Sequence, residues 1–273
     1  FHILLPAMTD KDLRRFVFAL LVFSPFLAPL GAADLPSGPL DAPSAPPSES
    51  PRAPLRASFS MDVASAYFFD SGYVVDDGPV VQPAFGVSDG RAFLPLKFAF
   101  WGNYALEREA PMSDDKGFTE IDLSVGTEHA FRNGVVLFAD LKTSQYPAME
   151  GWSGVDFVNA KLQRRFGPVL LGGRMKYLMS GGYANDVQLI PFGEVSAPVV
   201  ADVTAGLHAQ ACYNFNEGAA ADAWTACTIT ARLSWRALSL YVKRAVQMDD
   251  AIYTDRQHAV ERVIVGAGWR RSW

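Results

Sequence analysis

The sequence predicts an all-β fold, a transmembrane up-and-down antiparallel β-barrel of about 12 strands. Three patterns indicate it. Apolar and polar residues alternate along successive segments from about Phe59 onward, the connections are alternately long and short, and charged residues stand in the middle of several segments. Bacterial membrane barrels have an even number of strands of about 9 to 11 residues, with long outer loops and short periplasmic turns.

The composition agrees with a membrane wall built from strands. Of the 273 residues, 49% are hydrophobic and 19% are charged, whereas soluble domains carry about 25% charge. Beyond the N-terminal segment, no apolar run reaches the roughly 20 residues that a spanning helix needs. The formal net charge of -5 argues against a nucleic-acid-binding protein.

The N-terminal segment, residues 1–33, is predicted to be a signal peptide. Met8 opens a stretch with three basic residues, followed by the apolar run 16–30 and the small residues 31–33, which is the order of such peptides. We expect cleavage at the end of this segment and place residues 1–7 upstream of the natural start. A single membrane helix is the weaker alternative, because two prolines interrupt a run that is already short.

A proline-rich segment, residues 34–57, separates the signal peptide from the alternating region. Its seven prolines remove backbone hydrogen-bond donors and favour an extended chain. We therefore expect a disordered periplasmic linker here and a barrel over residues 58–273.

Six predicted strands form the first half of the barrel, each with period-two alternation and turn-forming residues around it: 59–69, 80–87, 92–106, 118–130, 135–145 and 155–166. The third is the clearest, since its even-numbered positions are mostly apolar and its odd-numbered positions include polar residues. Residues 70–79 and 107–117 are predicted long loops. The stretch Arg132-Asn133-Gly134 contains the Asn-Gly pair that favours a two-residue hairpin turn.

Six more strands follow on the same alternation: 169–179, 187–197, 201–212, 224–235, 237–247 and 257–273. Short turns are predicted at Gly167-Pro168, at 198–200 and at Arg236. Six long connections thus alternate with five short ones, which places both ends of the barrel on the periplasmic side, as an even barrel requires. The last strand ends on the aromatic Trp273 and resembles the final strand of proteins inserted by the outer-membrane assembly machinery.

A soluble β-sandwich is the main alternative for such alternation. A sandwich buries its apolar face against a second sheet, whereas a membrane barrel exposes that face to lipid and keeps polar residues inside. Charged residues in the middle of strands favour the barrel. Aromatic residues near the predicted strand ends fit the interfacial girdles of membrane barrels: Tyr67, Tyr104, Phe131, Phe166 and Trp235.

Four stretches of the first four strands have a recognisable pattern: Asp62-Val63-Ala64-Ser65-Ala66-Tyr67, Asp77-Gly78-Pro79-Val80-Val81-Gln82-Pro83, Trp101-Gly102-Asn103 and Glu120-Ile121-Asp122-Leu123. With these stretches the chain resembles an outer-membrane β-barrel protein family of Gram-negative bacteria that is functionally uncharacterised. The resemblance implies a barrel in the bacterial outer membrane. It implies no catalytic residues and names no substrate.

Twelve charged residues are predicted to line the lumen, because the alternation sets them on the polar face of the wall: Lys97, Glu120, Asp122, Asp140, Lys142, Lys161, Arg174, Lys176, Glu194, Asp202, Arg232 and Lys243. Both signs of charge are present. These side chains either line a narrow aqueous passage or pair into a salt-bridged plug. The sequence leaves that choice open, because lumen width depends on strand stagger and on how the loops fold.

A disulfide is expected between Cys212 and Cys227, which flank a predicted outer loop. Exported proteins fold in an oxidising compartment, and closing a loop of about 15 residues adds roughly 3 kcal/mol of stability. No cofactor and no metal site are predicted. The acidic residues of three outer loops lack calcium-loop spacing, and we interpret them as solvated loop tips: Asp70, Asp76, Asp77, Asp114, Asp115, Asp249, Asp250 and Asp255.

Catalysis is not predicted. A hydrolase would need a serine close to a histidine that a third polar group orients. The spacing pairs none of the candidate histidines with a candidate serine; these residues are His129, His208, His258, Ser124, Ser144 and Ser234.

The expected function is a narrow, porin-like passive channel for small polar solutes. A closed barrel with a structural or surface-ligand-binding role is the alternative, and a lipid-modifying barrel enzyme is a third class. The expected partners are outer-membrane lipid, lipopolysaccharide and the assembly machinery. Nucleic acid is not expected as a partner.

Overall fold

The computed structural model describes the barrel region of the chain: residues 55–70, 74–89, 95–107, 117–148, 154–181, 184–215, 223–247 and 262–273. The predicted signal peptide and most of the predicted linker lie outside these residues. In the described ranges, no helix is long and apolar enough to cross a membrane.

Fourteen strands run through the described residues: β1 (Leu55–Ala64), β2 (Tyr67–Phe68), β3 (Val74–Asp76), β4 (Val80–Asp89), β5 (Leu96–Ala105), β6 (Gly117–Ala130), β7 (Val135–Gln145), β8 (Val155–Phe166), β9 (Val169–Leu178), β10 (Val187–Val200), β11 (Val203–Phe215), β12 (Ala223–Trp235), β13 (Leu238–Gln247) and β14 (Arg262–Ser272).

Twelve of these strands close into one antiparallel barrel, and β2 and β3 form a separate two-stranded sheet. Each wall strand pairs with its neighbours in the chain, and β1 closes the barrel against β14, from the pair Ser58 and Ser272 to the pair Ala64 and Gly266. Backbone bonds between Ala57 and Trp273 extend this seam. Closure leaves the wall without an open sheet edge. The predicted 12-strand up-and-down barrel is confirmed.

The outer face of the wall is apolar and uncovered. Leu96, Phe98 and Leu123 are 45%, 56% and 51% exposed, although their alternation would suit a buried sheet face. A β-sandwich would bury these side chains under a second layer, so the alternative fold is excluded. An apolar exterior around a closed barrel is the surface that contacts lipid in membrane barrels.

Four of the five predicted girdle aromatics lie exposed near strand ends: Tyr104, Phe131, Phe166 and Trp235. The fifth, Tyr67, does not. It belongs to β2, and its hydroxyl donates to Glu120 on β6, so the predicted position of Tyr67 in a girdle is wrong.

The predicted first strand, 59–69, is split. β1 ends at Ala64, and the chain then leaves the wall and enters the barrel as the hairpin of β2 and β3. The physical reason is burial, since Phe68 is 2% and Val74 is 3% exposed. We call residues 65–70 and 74–79 the inward hairpin.

Smaller differences concern strand ends. β1 begins at Leu55, within the predicted linker, because its first residues pair with β4 as far as Asp89. β10 runs through the predicted turn 198–200 to Val200, and the register slips between Pro198 and Val200. Such an irregular position tolerates a proline that cannot donate to the ladder.

The turn between β6 and β7 has three residues instead of the predicted two. The amide of Phe131 donates to the Val135 carbonyl at 2.8 Å, which encloses residues 132–134. Gly134 has a φ of +80°, in the left-handed region that favours glycine.

Candidate functional site in the barrel lumen

The lumen has two ends, defined by the connections of the wall. The end with the five short connections is called the short-turn end, and the end with the six longer ones is called the long-loop end.

Eleven of the twelve predicted lumen residues lie on the inner face of wall strands, opposite the exposed apolar residues. Asp202 lies instead in the turn between β10 and β11, exposed and 3.2 Å from Arg236. The lumen prediction is wrong for Asp202, because β10 is longer than its alternation suggested.

The inward hairpin fills the lumen near the long-loop end. Its apolar side chains pack with small and branched residues of the wall in one buried cluster: Ala64, Ala66, Phe68, Val74, Val80, Ala245 and Ile264. The ammonium of Lys243 on β13 lies 3.8 Å from the centre of the Phe68 ring. The prediction that the first long loop is solvated is therefore wrong, because the described part of this segment packs inside the barrel.

A polar network holds the second strand of the hairpin. Asp76 on β3 is 1% exposed and accepts hydrogen bonds through Oδ2 from Asn103 and from Thr119, the latter at 2.8 Å. Asn103 also donates to Thr119 at 2.7 Å and accepts from Gln82 at 2.8 Å. The Oδ1 atom of Asp76 has no hydrogen-bond partner among the described residues.

The first strand of the hairpin is held by a carboxylate of β6. The hydroxyl of Tyr67 donates to Glu120 at 2.7 Å, and the Tyr67 ring lies 5.4 Å from that of Trp101. Next along β6, Asp122 accepts from Ser144 and pairs with Lys142. These buried contacts continue from the hairpin into the wall.

Asp70, at the tip of the described part of the first hairpin arm, crosses the lumen to strands β9 and β11. Its Oδ2 atom accepts from Arg174 and from Lys176, both at 2.7 Å. Its Oδ1 atom accepts from Gln210 at 3.0 Å. We call Arg174, Lys176 and Gln210 the Asp70 site. Asp70 is more than 100 residues from each of these partners, so the contact ties the hairpin to the opposite wall.

The pKa values of the two acids of the hairpin are shifted in opposite directions. Burial raises the pKa of the Asp70 carboxyl, but Arg174 and Lys176 lower it by more, and the net pKa lies well below the usual range. Burial also raises the pKa of Asp76, and the hydrogen bonds from Thr119 and Asn103 only partly offset it. The interpretation of both acids as solvated loop tips is wrong.

Near the short-turn end, ionisable side chains of the inner face are partly exposed. Three pairs of side chains lie close to one another there: Lys97 and Glu128, and Arg165 and His208, each 3.9 Å from Glu194. Each of these side chains is between 33% and 50% exposed. We call the partly exposed inner face at this end the vestibule.

Cations also lie over aromatic rings of the inner wall. The Lys161 ammonium is 5.1 Å from the ring centres of both Phe138 and Phe192. Phe157 has Lys142 at 5.1 Å and Lys176 at 5.7 Å. Contacts of this kind stabilise a cation without neutralising its charge.

The expected disulfide is absent, and both cysteines are free thiols. Cys212 is opposite Ala226 and Cys227 is opposite Ala211 in the paired strands β11 and β12. Neighbouring positions of a strand face opposite sides of a sheet. The buried Cys212 therefore faces inward and Cys227 outward, and no bridge can join them.

The described catalytic candidates are not assembled into a triad. His208 contacts Gln210 and Glu194, Ser144 donates to Asp122, and His129 stacks edge-on against Phe131. His258 lies outside the described residues. Within the described ranges, no group of three or more His, Cys, Asp or Glu side chains is placed to hold a metal ion.

Comparison with known proteins gives the fold. No protein-family model matches the chain, and no curated protein matches it. An outer membrane channel from Pseudomonas putida F1 has a TM-score of 0.50 and 12% identity, over 87% of this chain and 100% of that one. This is the fold of outer-membrane β-barrels. Further solved structures match as well, and two of those with lower TM-scores are examples. The NanC porin has a TM-score of 0.46 and 12% identity, over 76% of this chain and 97% of that one. The Escherichia coli outer membrane phospholipase A has a TM-score of 0.41 and 10% identity, over 80% of this chain and 92% of that one.

The inward hairpin is the part of the site that the strand alternation did not indicate. Its signal in the sequence is local: an apolar stretch at 67–69 and another at 74–75 stand in a segment otherwise rich in turn-forming residues. Exposed loop tips do not need such residues. Apolar pairs inside a predicted loop of a barrel therefore indicate a loop that folds into the lumen.

Proposed function

We propose that this chain is an outer-membrane channel that passes small polar solutes by diffusion and is narrowed by its inward hairpin. The observation that carries the proposal is the contrast inside the lumen. An exposed, charged vestibule at one end leads to a plug that belongs to a single connection of the chain, between β1 and β4. Such a plug can move without breaking the wall.

Planar-bilayer recording of the refolded full chain tests this proposal. We expect small conductance steps whose ion selectivity depends on inward charges. Lys161→Glu reverses an inward charge, and its reversal potential in a salt gradient should shift towards cation selectivity. Arg164→Glu is the matched control, because the neighbouring Arg164 lies on the outer face over Phe166. Absence of conductance in all three proteins would contradict the channel.

The proposed location is the bacterial outer membrane, reached through the signal peptide 1–33. In that membrane the long-loop end faces outward and the short-turn end faces the periplasm. The apolar exterior would contact lipid and lipopolysaccharide, and the assembly machinery would recognise β14. Deleting residues 8–33 should leave the protein in the cytoplasmic fraction, and truncation before Trp269 should reduce membrane assembly while export continues.

A second candidate function rests on the packed half of the lumen. Asn103 and Thr119 are 0% exposed, which is unusual for residues that would border a water-filled passage. This packing favours a closed barrel with a structural role or a surface ligand at the long-loop end. The closed barrel becomes the better proposal if recordings stay silent even after the hairpin anchor Phe68 is replaced.

A further inference from the structure

The cations around Asp70 outnumber the carboxylates that pair with them. Lys161 and Arg174 are direct cross-strand partners on β8 and β9, and Lys176 follows Arg174 on the same inner face. Among the described residues, Asp70 is the carboxylate within 4.0 Å of Arg174 and Lys176, and no ion pair within that distance involves Lys161. Like charges so close together cost energy unless anions neutralise them, so this part of the wall favours additional negative charge.

The geometry of the Asp70 site is that of a carboxylate receptor. A guanidinium and an ammonium both donate to one oxygen, and the amide of Gln210 donates to the other. All three donors come from the rigid wall, whereas the carboxylate comes from the hairpin. Charge-assisted hydrogen bonds of this kind are about twice as strong as neutral ones.

The site is partly exposed to solvent. The side chains of Arg174, Lys176 and Asp70 are 29%, 17% and 25% exposed, in contrast to the fully buried Asn103 network. Lys161 on β8 is the direct cross-strand partner of Arg174 and so lies beside this site. A small anion that reaches this part of the lumen therefore meets three cations, Lys161, Arg174 and Lys176.

We infer that Arg174, Lys176 and Gln210 form a binding site for the carboxylate of a transported or regulatory solute, and that Asp70 occupies it as an internal competitor. A carboxylate solute would displace Asp70 and release the first arm of the hairpin, which would open the passage. This inference rests on the proposed channel and adds the chemical class of the solute.

The thiol of Cys212 provides a readout that does not depend on conductance. Cys212 is 0% exposed, faces inward two residues after Gln210, and lies within electrostatic range of Asp70, Arg174 and Lys176. Release of the hairpin should expose it. Its labelling rate by neutral methyl methanethiosulfonate is measured in a Cys227→Ala background, with acetate replacing chloride at constant ionic strength.

We expect acetate to accelerate labelling of Cys212 in a saturable manner, by about tenfold, and acetamide to leave the rate unchanged. Asp70→Asn should label fast without acetate, since the internal competitor has lost its charge. The double variant Arg174→Gln, Lys176→Gln should label fast and be insensitive to acetate. Lys176→Arg should retain the acetate response, because the cation is kept.

Asp202→Asn is the matched control, since it removes a carboxylate that pairs with an arginine outside the lumen. It should label slowly and respond to acetate as the parent does. Equal responses to acetate and acetamide, an acetate response in the double variant, or slow labelling of Asp70→Asn would overturn the inference. If labelling responds to acetate and bilayers show no conductance, the site stands and the channel fails. If bilayers show conductance and labelling does not respond to acetate, the channel stands and the carboxylate site is overturned.

Discussion

The two halves of the lumen differ in how their polar side chains are paired and buried. Both contain charged side chains inside a closed wall. Near the long-loop end, Asp76, Asn103 and Thr119 are buried and bond to one another. Near the short-turn end, Lys97 and Glu128 remain more than a third exposed while in contact. Hydrogen bonds between protein groups dominate the first half, whereas the side chains of the second half are partly exposed to solvent.

This difference indicates which contacts contribute most of the free energy that keeps the lumen closed. Exposed ion pairs contribute only about 0 to 1 kcal/mol, so the vestibule can change its charges at little cost. Buried polar groups cost about 1 to 3 kcal/mol each when they lose a partner. Closure should therefore depend on the hairpin and its apolar anchor, and selectivity should depend on the vestibule.

Replacing the hairpin anchor should have the largest effect. Phe68→Ala removes a ring that is 2% exposed, and such truncations cost about 3 to 5 kcal/mol. The ratio of docked to undocked hairpin should fall by about two orders of magnitude or more. Bilayer recordings should show much longer open times. Phe85→Ala is the control, because Phe85 is 47% exposed on the outer face; an equal effect of Phe85→Ala would show that the wall, and not the hairpin, had changed.

The wall of the barrel was predictable from the sequence, and the plug was not. Period-two alternation predicted β7 and β8 with the bounds that the structure has, because one face of each strand meets lipid and the other meets polar groups. The same rule extended the first strand across residues 65–69. Tyr67 and Phe69 continue the alternation, but Phe68 finds a better apolar environment among residues of β13 and β14 than at the rim. Such contacts join distant parts of the chain, and a local period carries no information about them.

Protonation of Asp70 should have the next largest effect, because it removes two ion pairs at once. Docking of the hairpin lowers the pKa of Asp70. The ionised Asp70 therefore stabilises the docked hairpin above pH 3.8, and this stabilisation is lost as the pH falls through the lowered pKa. Docking raises the pKa of Asp76. The protonated Asp76 therefore stabilises the docked hairpin below pH 3.8, and this stabilisation is lost as the pH rises through the raised pKa. Acidification from neutral pH should first reduce the open probability and then, below about pH 3.8, increase it.

Single variants separate these two phases. Asp70→Asn should leave only the first phase in the pH series of recordings, and Asp76→Asn only the second. A single phase in the parent protein, or two phases in Asp70→Asn, would disprove this assignment of the titrating groups.

Removing one partner from the buried network should have a moderate effect. Thr119→Val deletes the hydroxyl that donates to Asp76 at 2.8 Å while keeping the shape of the side chain. The carboxylate, which already has one unpaired oxygen among the described residues, then loses a further donor, at a cost of about 1 to 3 kcal/mol. Hairpin docking, measured by Cys212 labelling, should weaken by about tenfold or more. Thr143→Val on the outer face of β7 is the control and should label at the parental rate.

The smallest effect on stability is expected in the vestibule. Glu128→Gln removes the carboxylate that pairs with Lys97, and because both side chains are exposed the unfolding free energy should change by about 1 kcal/mol or less. The charge of Lys97 is then no longer neutralised, so the reversal potential in a salt gradient should shift towards anion selectivity, opposite to the shift expected for Lys161→Glu. Cys212 labelling should stay at the parental rate, because the hairpin does not contact this pair. If Glu128→Gln instead released the hairpin, the two halves of the lumen would be coupled, and closure could not be attributed to the long-loop half alone.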